Sequence, residues 1–552
     1  MEIPMNGPGS LNLDKESFVE VTEQQRKPCI IPLFVKMAVP SFSPVELYRD
    51  LIGEPDVGRG GLSRGFLLES MDGDQRTATY SFFGLDPVLK VTCYRDDTVM
   101  TGDPGVLESI RLTGGRDAIE TIKFLINTFN AVPSSVPRFS GGLVGYFSYD
   151  LIYSLLPGSA KVRKKSEITG PIAEFMFCPD CMVLDHYLSE LWIVRNAISM
   201  DGKDPGELYD ENFAVLLKRK ESIGTFLKKS DLGADLSVEG GRREIIPAGA
   251  VRPIPAGSHE HESVKAACRD GTPVSGLTDQ RAEKNRFMHS VTRVRDMVHA
   301  GEIVQAVISR KEAYPFREDP LSLYQALRNV NPSPYMYYID FSDYSVVGAS
   351  PEMLVRVEGR DVTTVPIAGT RKRGVDSEED RLLEQELLLD QKERAEHVML
   401  VDLARNDIGS VCAFGSVDVP QFMQVGKYSH VQHIISTVTG KISEKYDRFD
   451  VFRTCFPAGT VSGAPKIRAI EIIDEQEPVP RGLYAGAVGH IGFDGGLEFA
   501  IAIRTAIVKD GTAAVQAGAG IVADSDPERE WIETNEKLAA MKLAITLAGG
   551  ST

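Results

Sequence analysis

Short apolar–polar alternations and stretches of helical spacing follow one another along this chain, and their mixture predicts an α+β fold. Gly65-Phe66-Leu67-Leu68-Glu69-Ser70, Tyr80-Ser81-Phe82-Phe83-Gly84 and Met182-Val183-Leu184-Asp185-His186 alternate as strands do. Asp117–Asn130 and Glu207–Lys229 space their apolar residues as helices do. Asn285–Ala300 reads as a helix ended by Gly301. Asp380–Asn406 reads as the longest helical run, and Glu528–Leu547 as a last helix with Pro527 in its first turn. Strand-like runs lie between them at Tyr344–Gly348, Ile501–Arg504 and Ala514–Gly518, without the strict strand–helix alternation of a doubly wound sheet. Residues 1–35 are polar with Pro and Gly and read as a tail, 36–229 as a first domain and 285–552 as a second. The stretch 230–284 is interrupted by Pro and Gly (Gly240-Gly241, Pro253, Pro255-Ala256-Gly257) and reads as a linker or mobile insertion.

Composition narrows the function classes. The 552 residues include 61 Lys and Arg against 78 Asp and Glu, a net charge of −17. That balance opposes unaided binding to nucleic acid or to an anionic membrane. The basic clusters Lys161–Lys165 and Arg371–Arg373 are too short to reverse it. No run of 18 apolar residues occurs, so no spanning helix is expected. Met1–Gly7 lacks the basic and apolar regions of an export signal, and the expected compartment is the cytoplasm. Seven scattered cysteines do not form a disulfide framework. Cys178 and Cys181 have metal or redox spacing, but no second pair completes a zinc site, and they read as reduced and structural.

Candidate chemistry concentrates in the second half. Glu393 and Glu396 stand three apart and share a helix face beside apolar Val398 and Val401. Such a pair suits Mg²⁺, which takes one or two carboxylates, and equally suits a solvated charged face. Glu533 and Lys537, four apart, read either as an exposed ion pair or as a second cation ligand beside a carboxylate-binding lysine, and spacing does not choose. Glycine-bearing loops at Pro366–Thr370, Gly459–Lys466 and Gly518–Gly520 allow backbone amides to approach an anion. None has the spacing of a phosphate loop or a dinucleotide fingerprint. Arg504, inside an apolar strand-like run, calls for an anionic partner such as a carboxylate.

Taken together, Pro366-Ile367-Ala368-Gly369-Thr370-Arg371, Lys392-Glu393-Arg394-Ala395-Glu396-His397, Val401–Asp407, Gly463-Ala464-Pro465-Lys466 and Gln516–Gly520 resemble the chorismate-utilising enzymes, most closely the anthranilate-forming large subunits. The resemblance is dense from Asn285 to Leu547 and thinner over the first domain. It implies two packed antiparallel sheets flanked by helices, with a smaller N-terminal regulatory portion folded onto the chorismate-binding domain. It also implies a Mg²⁺-dependent conversion of chorismate and ammonia to anthranilate and pyruvate, the first committed step of tryptophan biosynthesis. By the same resemblance Glu396 and Glu533 hold Mg²⁺ against a chorismate carboxylate. Glu352 protonates the departing C4 hydroxyl, and His433, unlike neighbouring His430, is the active-site histidine. Gly369, Thr370, Thr460, Tyr484, Arg504, Gly518, Ala519, Gly520 and Lys537 match substrate-binding positions.

Aminodeoxychorismate-forming relatives carry a participating lysine where this chain has Ala368, which opposes that alternative. A non-catalytic tryptophan-sensing subunit is opposed by the presence of Glu352, Glu396, His433, Arg504 and Glu533 together. No Gly-x-Cys-x-Gly motif occurs, so a separate glutamine amidotransferase subunit is expected to supply ammonia. Glu69, Ser70, Pro334, Tyr335 and Met336 resemble the tryptophan-binding segments of feedback-inhibited members. Departures at His490, where Tyr is commoner, and at Ile308–Glu312, which lacks an Arg-Phe ending, bear on inhibitor affinity.

Overall fold

A computed structural model describes residues 11–53, 65–71, 80–110, 117–156, 158, 161–162, 167–235, 280–428 and 431–549. Two large, almost wholly antiparallel sheets pack face to face, one of twelve and one of eleven strands among the described residues. The α+β expectation of two packed sheets flanked by helices holds.

Strand Tyr335–Asp340 illustrates why its sequence is nearly all apolar. Tyr337 and Ile339 enter the core between the sheets, while Met336 and Tyr338 enter the core under the outer helices. Alternate side chains of a strand point to opposite faces, so a strand covered on both faces needs apolar residues at every position. The inter-sheet core draws Phe66, Phe139 and Trp192 from the first half of the chain and Tyr337, Val346 and Val488 from the second. Helices cover the outer faces; Phe147, for example, stacks within 4.6 Å of Phe452 on helix Arg448–Cys455.

Both halves of the chain contribute to both sheets. Gly65–Glu69 pairs with Tyr335–Asp340 in the larger sheet, and Gly142–Phe147 pairs with Ala487–Gly492 in the smaller. The N-terminal portion is therefore hydrogen-bonded to the C-terminal portion along two strand junctions. Within the segment read as a tail, Lys15–Gln24 is a helix capped by Asp14, and Cys29–Ala38 is a strand with Leu33 fully buried. Helix Gln280–His299 begins five residues before the boundary drawn at 285. Most of the 230–284 stretch lies outside the described residues.

One helical expectation needs correction. Asp380–Asn406 is not one run: it is two helices, Ser377–Leu389 and Gln391–Gly409. Asp390 breaks it, with an extended backbone (ψ 110°) and a side chain that accepts from Lys392 N–H and Glu393 N–H. An aspartate that caps the following turn competes with helix continuation. The longest helix among the described residues is Pro205–Asp235. Among the described residues no helix is long and apolar enough to cross a membrane.

Candidate active site

Two links between the sheets build the site. The chain leaves the larger sheet after strand Ser345–Ser350 and enters the smaller one at Met353–Glu358, passing through Pro351-Glu352. It returns between Leu497–Ile501 and Thr505–Lys509, through Ala502-Ile503-Arg504. The links run side by side: Ile501 N–H donates to the Glu352 carbonyl and Ala349 N–H to the Arg504 carbonyl, each at 3.0 Å. Arg504 is thus not inside a strand, as its apolar neighbours suggested, but in a kink with φ +51°. For a non-glycine residue that conformation costs about 1–2 kcal/mol, and it persists because flanking hydrogen bonds fix it.

The kinks set two charges at the seam of the sheets. Glu352 is only 9% exposed. Burial pushes its carboxyl up to about 7, against the opposing pull of the Thr460 hydroxyl, Arg504 and Lys537. The Thr460 hydroxyl faces it without completing a hydrogen bond, since Oγ1 is buried and has no partner at bonding geometry among the described residues. Arg504 makes no ion pair among the described residues; burial lowers its pKa, while the Glu352 carboxylate favours its charge.

Strand Ile367–Lys372 bulges at Gly369, whose φ is +68°, so that Ala368 faces Ile434 and Thr370 faces His433. The positive φ at Gly369 favours glycine there, and a Cβ would also press on Glu393 Oε2 at 3.1 Å. The bulge carbonyl fixes the His433 tautomer. His433 Nδ1 lies 2.9 Å from the Gly369 carbonyl, which can only accept, so Nδ1 carries the proton and Nε2 keeps its lone pair. Thr370 Oγ1 is 3.0 Å from the same nitrogen. Burial holds His433 below the usual histidine range, in its neutral form. His430 lies outside the described residues.

The far wall is strand Thr512–Ile521. Gly518 and Gly520 face one side, while the Ala519 side chain is buried on the other in an apolar cluster with Phe287 and Ile308. A Cβ at Gly518 would stand 2.8 Å from Tyr484 Oη and 2.9 Å from the Ile308 carbonyl oxygen. Burial raises the Tyr484 phenol to about 12. Lys537 Nζ donates to the Gly518 carbonyl at 2.9 Å and pairs with Glu533 at 2.7 Å. Both spacing-based readings of Glu533 and Lys537 therefore keep a foothold, because the ion pair is half-exposed and adjoins Gly518.

Helices Gln391–Gly409 and Pro527–Gly549 bring acids together across the opening. Glu396 is raised by burial, then by repulsion from Glu393 and, more weakly, from Glu533. Among the described residues no three such groups form a protein-only metal cage. Mg²⁺ does not require one, because it usually keeps waters or substrate oxygens beside one or two carboxylates. Mutually repelling carboxylates at one opening suit that ion.

The segments expected to bind tryptophan converge elsewhere. Glu69, Ser70, Pro334, Tyr335 and Met336 all border a cavity of about 570 Å³ between the sheets. The Glu69 carboxylate is already engaged, accepting from Tyr324 Oη at 2.6 Å and Arg328 Nε at 3.2 Å on helix Pro320–Val330. Strand alternation turns Leu68 toward the core between the sheets, whereas Glu69 turns outward to that helix. Pro351 and Met353, on either side of Glu352, also line the cavity, so its wall and the Glu352 link are one piece of chain. His490 lies in this wall, 4.5 Å from the Phe139 ring.

Sequence reading missed two contributors. Arg481 is buried, pairs with Glu477 at 2.7 Å and lies 5.5 Å from the Tyr484 ring, which it helps to seat. Asp407 and Lys466 were read only as parts of motifs, yet they pair at 3.1 Å beside a small cavity bordered by Glu352. Their wide separation in sequence hid the pairing. Cys178 and Cys181 are buried free thiols.

Two mostly antiparallel sheets exchanging strands around a seam of this kind define a class. Residues 247–543, more than half of the chain, match the chorismate binding enzyme family. Anthranilate synthase component 1 of Acetivibrio thermocellus is 39% identical over 523 residues, covering 94% of this chain and 96% of that protein. The Aquifex aeolicus protein of the same name is 37% identical, covering 98% and 99%. Anthranilate synthase component I from Streptococcus pneumoniae TIGR4 superposes with a TM-score of 0.64 at 30% identity, covering 91% of this chain and 97% of that one. MenF, the menaquinone-specific isochorismate synthase of Escherichia coli, shares the fold with a TM-score of 0.60 at 17% identity. The chain belongs to the anthranilate synthase component 1 family of chorismate-utilising enzymes.

Proposed function

We propose that this chain converts chorismate and ammonia to anthranilate and pyruvate as the large subunit of an anthranilate synthase. The observation that carries the reading is the buried Glu352, its carboxyl pushed up to about 7, beside Arg504, which makes no ion pair among the described residues. Arg504 and Lys537 neutralise one carboxylate of the dianionic substrate, and the Gly518 and Gly520 backbone contacts it. Glu352 gives its proton to the C4 hydroxyl as ammonia adds at C2. His433, neutral with Nε2 free, accepts the C2 proton as pyruvate is eliminated. Glu396 and Glu533 hold Mg²⁺; when bound, the ion polarises and orients the second carboxylate.

Ammonia comes from glutamine through a separate amidotransferase subunit. The 570 Å³ cavity admits tryptophan, with Ser70 and the Pro334–Met336 segment at one end. These roles place the chain at the entry to tryptophan biosynthesis, in the cytoplasm.

The test combines product analysis with substitution. The pure chain given chorismate, Mg²⁺ and ammonium forms anthranilate, and given glutamine alone does not. Glu396→Gln and Glu533→Gln each abolish turnover with the fold retained by circular dichroism, because removing one hard carboxylate weakens the cation site. Near-parental turnover at low Mg²⁺ in either variant overturns the metal assignment, and glutamine use by the pure chain overturns the need for a partner.

A further inference from the structure

Behind Glu352, on the side formed by helix Gln391–Gly409 and the Gly459–Val461 turn, lies a second and much smaller cavity of about 40 Å³. It is far too small for chorismate and has room for about two waters. Its walls are mainly apolar, Leu400 and Leu403 among them, and its polar side chains are Glu352, Asp407, Thr460 and Thr364, the last already donating to the Leu354 carbonyl, with the Cys455 thiol beside them. Thr460 Oγ1 is buried with no hydrogen-bond partner among the described residues. A buried hydroxyl without a partner is uncommon, and a small polar guest satisfies it.

We propose that this cavity is the route by which Glu352 recovers a proton between turnovers, with the Asp407–Lys466 pair positioning the water that fills it. The inference rests on the reading of Glu352 as the acid. In the addition step the Glu352 O–H bond breaks and its proton passes to the C4 hydroxyl oxygen. The C4–O bond breaks and the oxygen leaves as water. The ammonia lone pair forms the C2–N bond as the ring double bonds shift from C1=C2 to C1=C6 and from C5=C6 to C4=C5, taking the place of the broken C4–O bond. The positive nitrogen attached to C2 later returns a proton to solvent. Glu352 ends the step as a carboxylate and regains a proton before the next turnover, which the route supplies from the cavity it borders.

The geometry supplies that route. Asp407 Oδ2 accepts from Lys466 Nζ at 3.1 Å, and the same ammonium donates to the Thr454 carbonyl at 3.1 Å. The side chains of Asp407 and Lys466 are 16% and 20% exposed. The pair is thus partly open to solvent, and Asp407 and Glu352 both border the cavity. A proton entering by Asp407 passes through cavity water to the Glu352 carboxylate, and each water that gives a proton receives one from behind.

The experiment uses the full chain with saturating chorismate, Mg²⁺ and a fixed ammonium concentration. Asp407→Asn and Lys466→Met lower kcat by about tenfold or more with chorismate KM little changed, as loss of a proton-transfer component does. Their kcat falls further in D₂O than the parent's. Added imidazolium at constant pH and ionic strength restores it, and Asp407→Glu retains turnover. Ala404→Met fills the cavity without removing the ion pair and gives the same isotope and buffer signature. A kcat within about twofold of the parent in all three, or a loss indifferent to D₂O and imidazolium, overturns the route and leaves the pair a clamp between helices. Glu352→Gln is measured alongside. Turnover retained there removes the acid assignment and the route with it, a failure distinct from that of the cavity.

Discussion

At the scale of single residues the site depends on charges held out of water by backbone kinks. Arg504 has no ion-pair partner among the described residues, so its guanidinium is available to a substrate carboxylate. Arg504→Gln should therefore lower kcat/KM for chorismate by about 2–3 kcal/mol, tens- to a hundredfold, mainly through KM. Steady-state kinetics checks this, and an unchanged KM would move the carboxylate elsewhere. Glu352, pushed up to about 7 by burial, acts as an acid only while protonated. Its neighbours Arg504 and Lys537 pull in the opposite direction, less strongly than burial. Activity is thus full below about pH 7 and falls as pH rises through it. His433 is held below the ordinary histidine value and stays neutral across the same range, so the acid limb lies lower. A kcat profile flat from pH 6 to 9 would contradict this assignment. The residue types were legible in local motifs. The placement of the Thr460 hydroxyl against Glu352 and the Asp407–Lys466 pair were not, because each depends on what the fold brings against it.

At the scale of elements, helix Gln391–Gly409 is pinned to the smaller sheet by one buried serine. Strand Asp418–Lys427 bulges so that Phe422 and Met423 together oppose Ser436. Ser436 Oγ accepts from Met423 N–H at 2.9 Å and lies 2.6 Å from His397 Nε2, one residue from Glu396. Met423 is held at φ +52°. Ser436→Ala leaves the buried His397 Nε2 and the half-buried Met423 N–H without this partner and should destabilise the chain by about 1–3 kcal/mol, read as a lower urea midpoint. An unchanged midpoint would mean the bulge relaxes freely. Local patterning picked out strands such as Gly65–Glu69 and Tyr80–Leu85 and helices such as Ala118–Thr128 and Pro527–Gly549, but not this pinning, nor the break at Asp390. A capping aspartate inside a charged, apolar-periodic run looks like another surface carboxylate until its backbone is seen. Arg504 was misplaced for a similar reason: the apolar run around it continues through the kink, because Ala502 is buried between the sheets.

At the scale of the whole molecule, the two halves of the chain share both sheets, and the larger cavity lies between those sheets with Pro351 and Met353 in its wall. The sequence suggested a regulatory portion folded onto a catalytic one. Sheet sharing was not legible, since it rests on pairings such as Glu69 with Met336, far apart in the chain. A ligand that fills this cavity bears on the link carrying Glu352. Tryptophan should therefore weaken chorismate binding, and Ser70→Phe or Met336→Thr should relieve inhibition with little loss of maximal rate. Coupling is reciprocal, so saturating chorismate with Mg²⁺ must weaken tryptophan binding by the same factor in calorimetry. Tryptophan binding indifferent to chorismate would refute the coupling. The central claim is the reaction itself, and following the nitrogen tests it most directly. With chorismate, Mg²⁺ and ¹⁵N-ammonium, the account predicts ¹⁵N-anthranilate and pyruvate in equal amounts, identified by mass and fluorescence. Accumulation of aminodeoxychorismate without pyruvate, or of isochorismate without nitrogen, would contradict it.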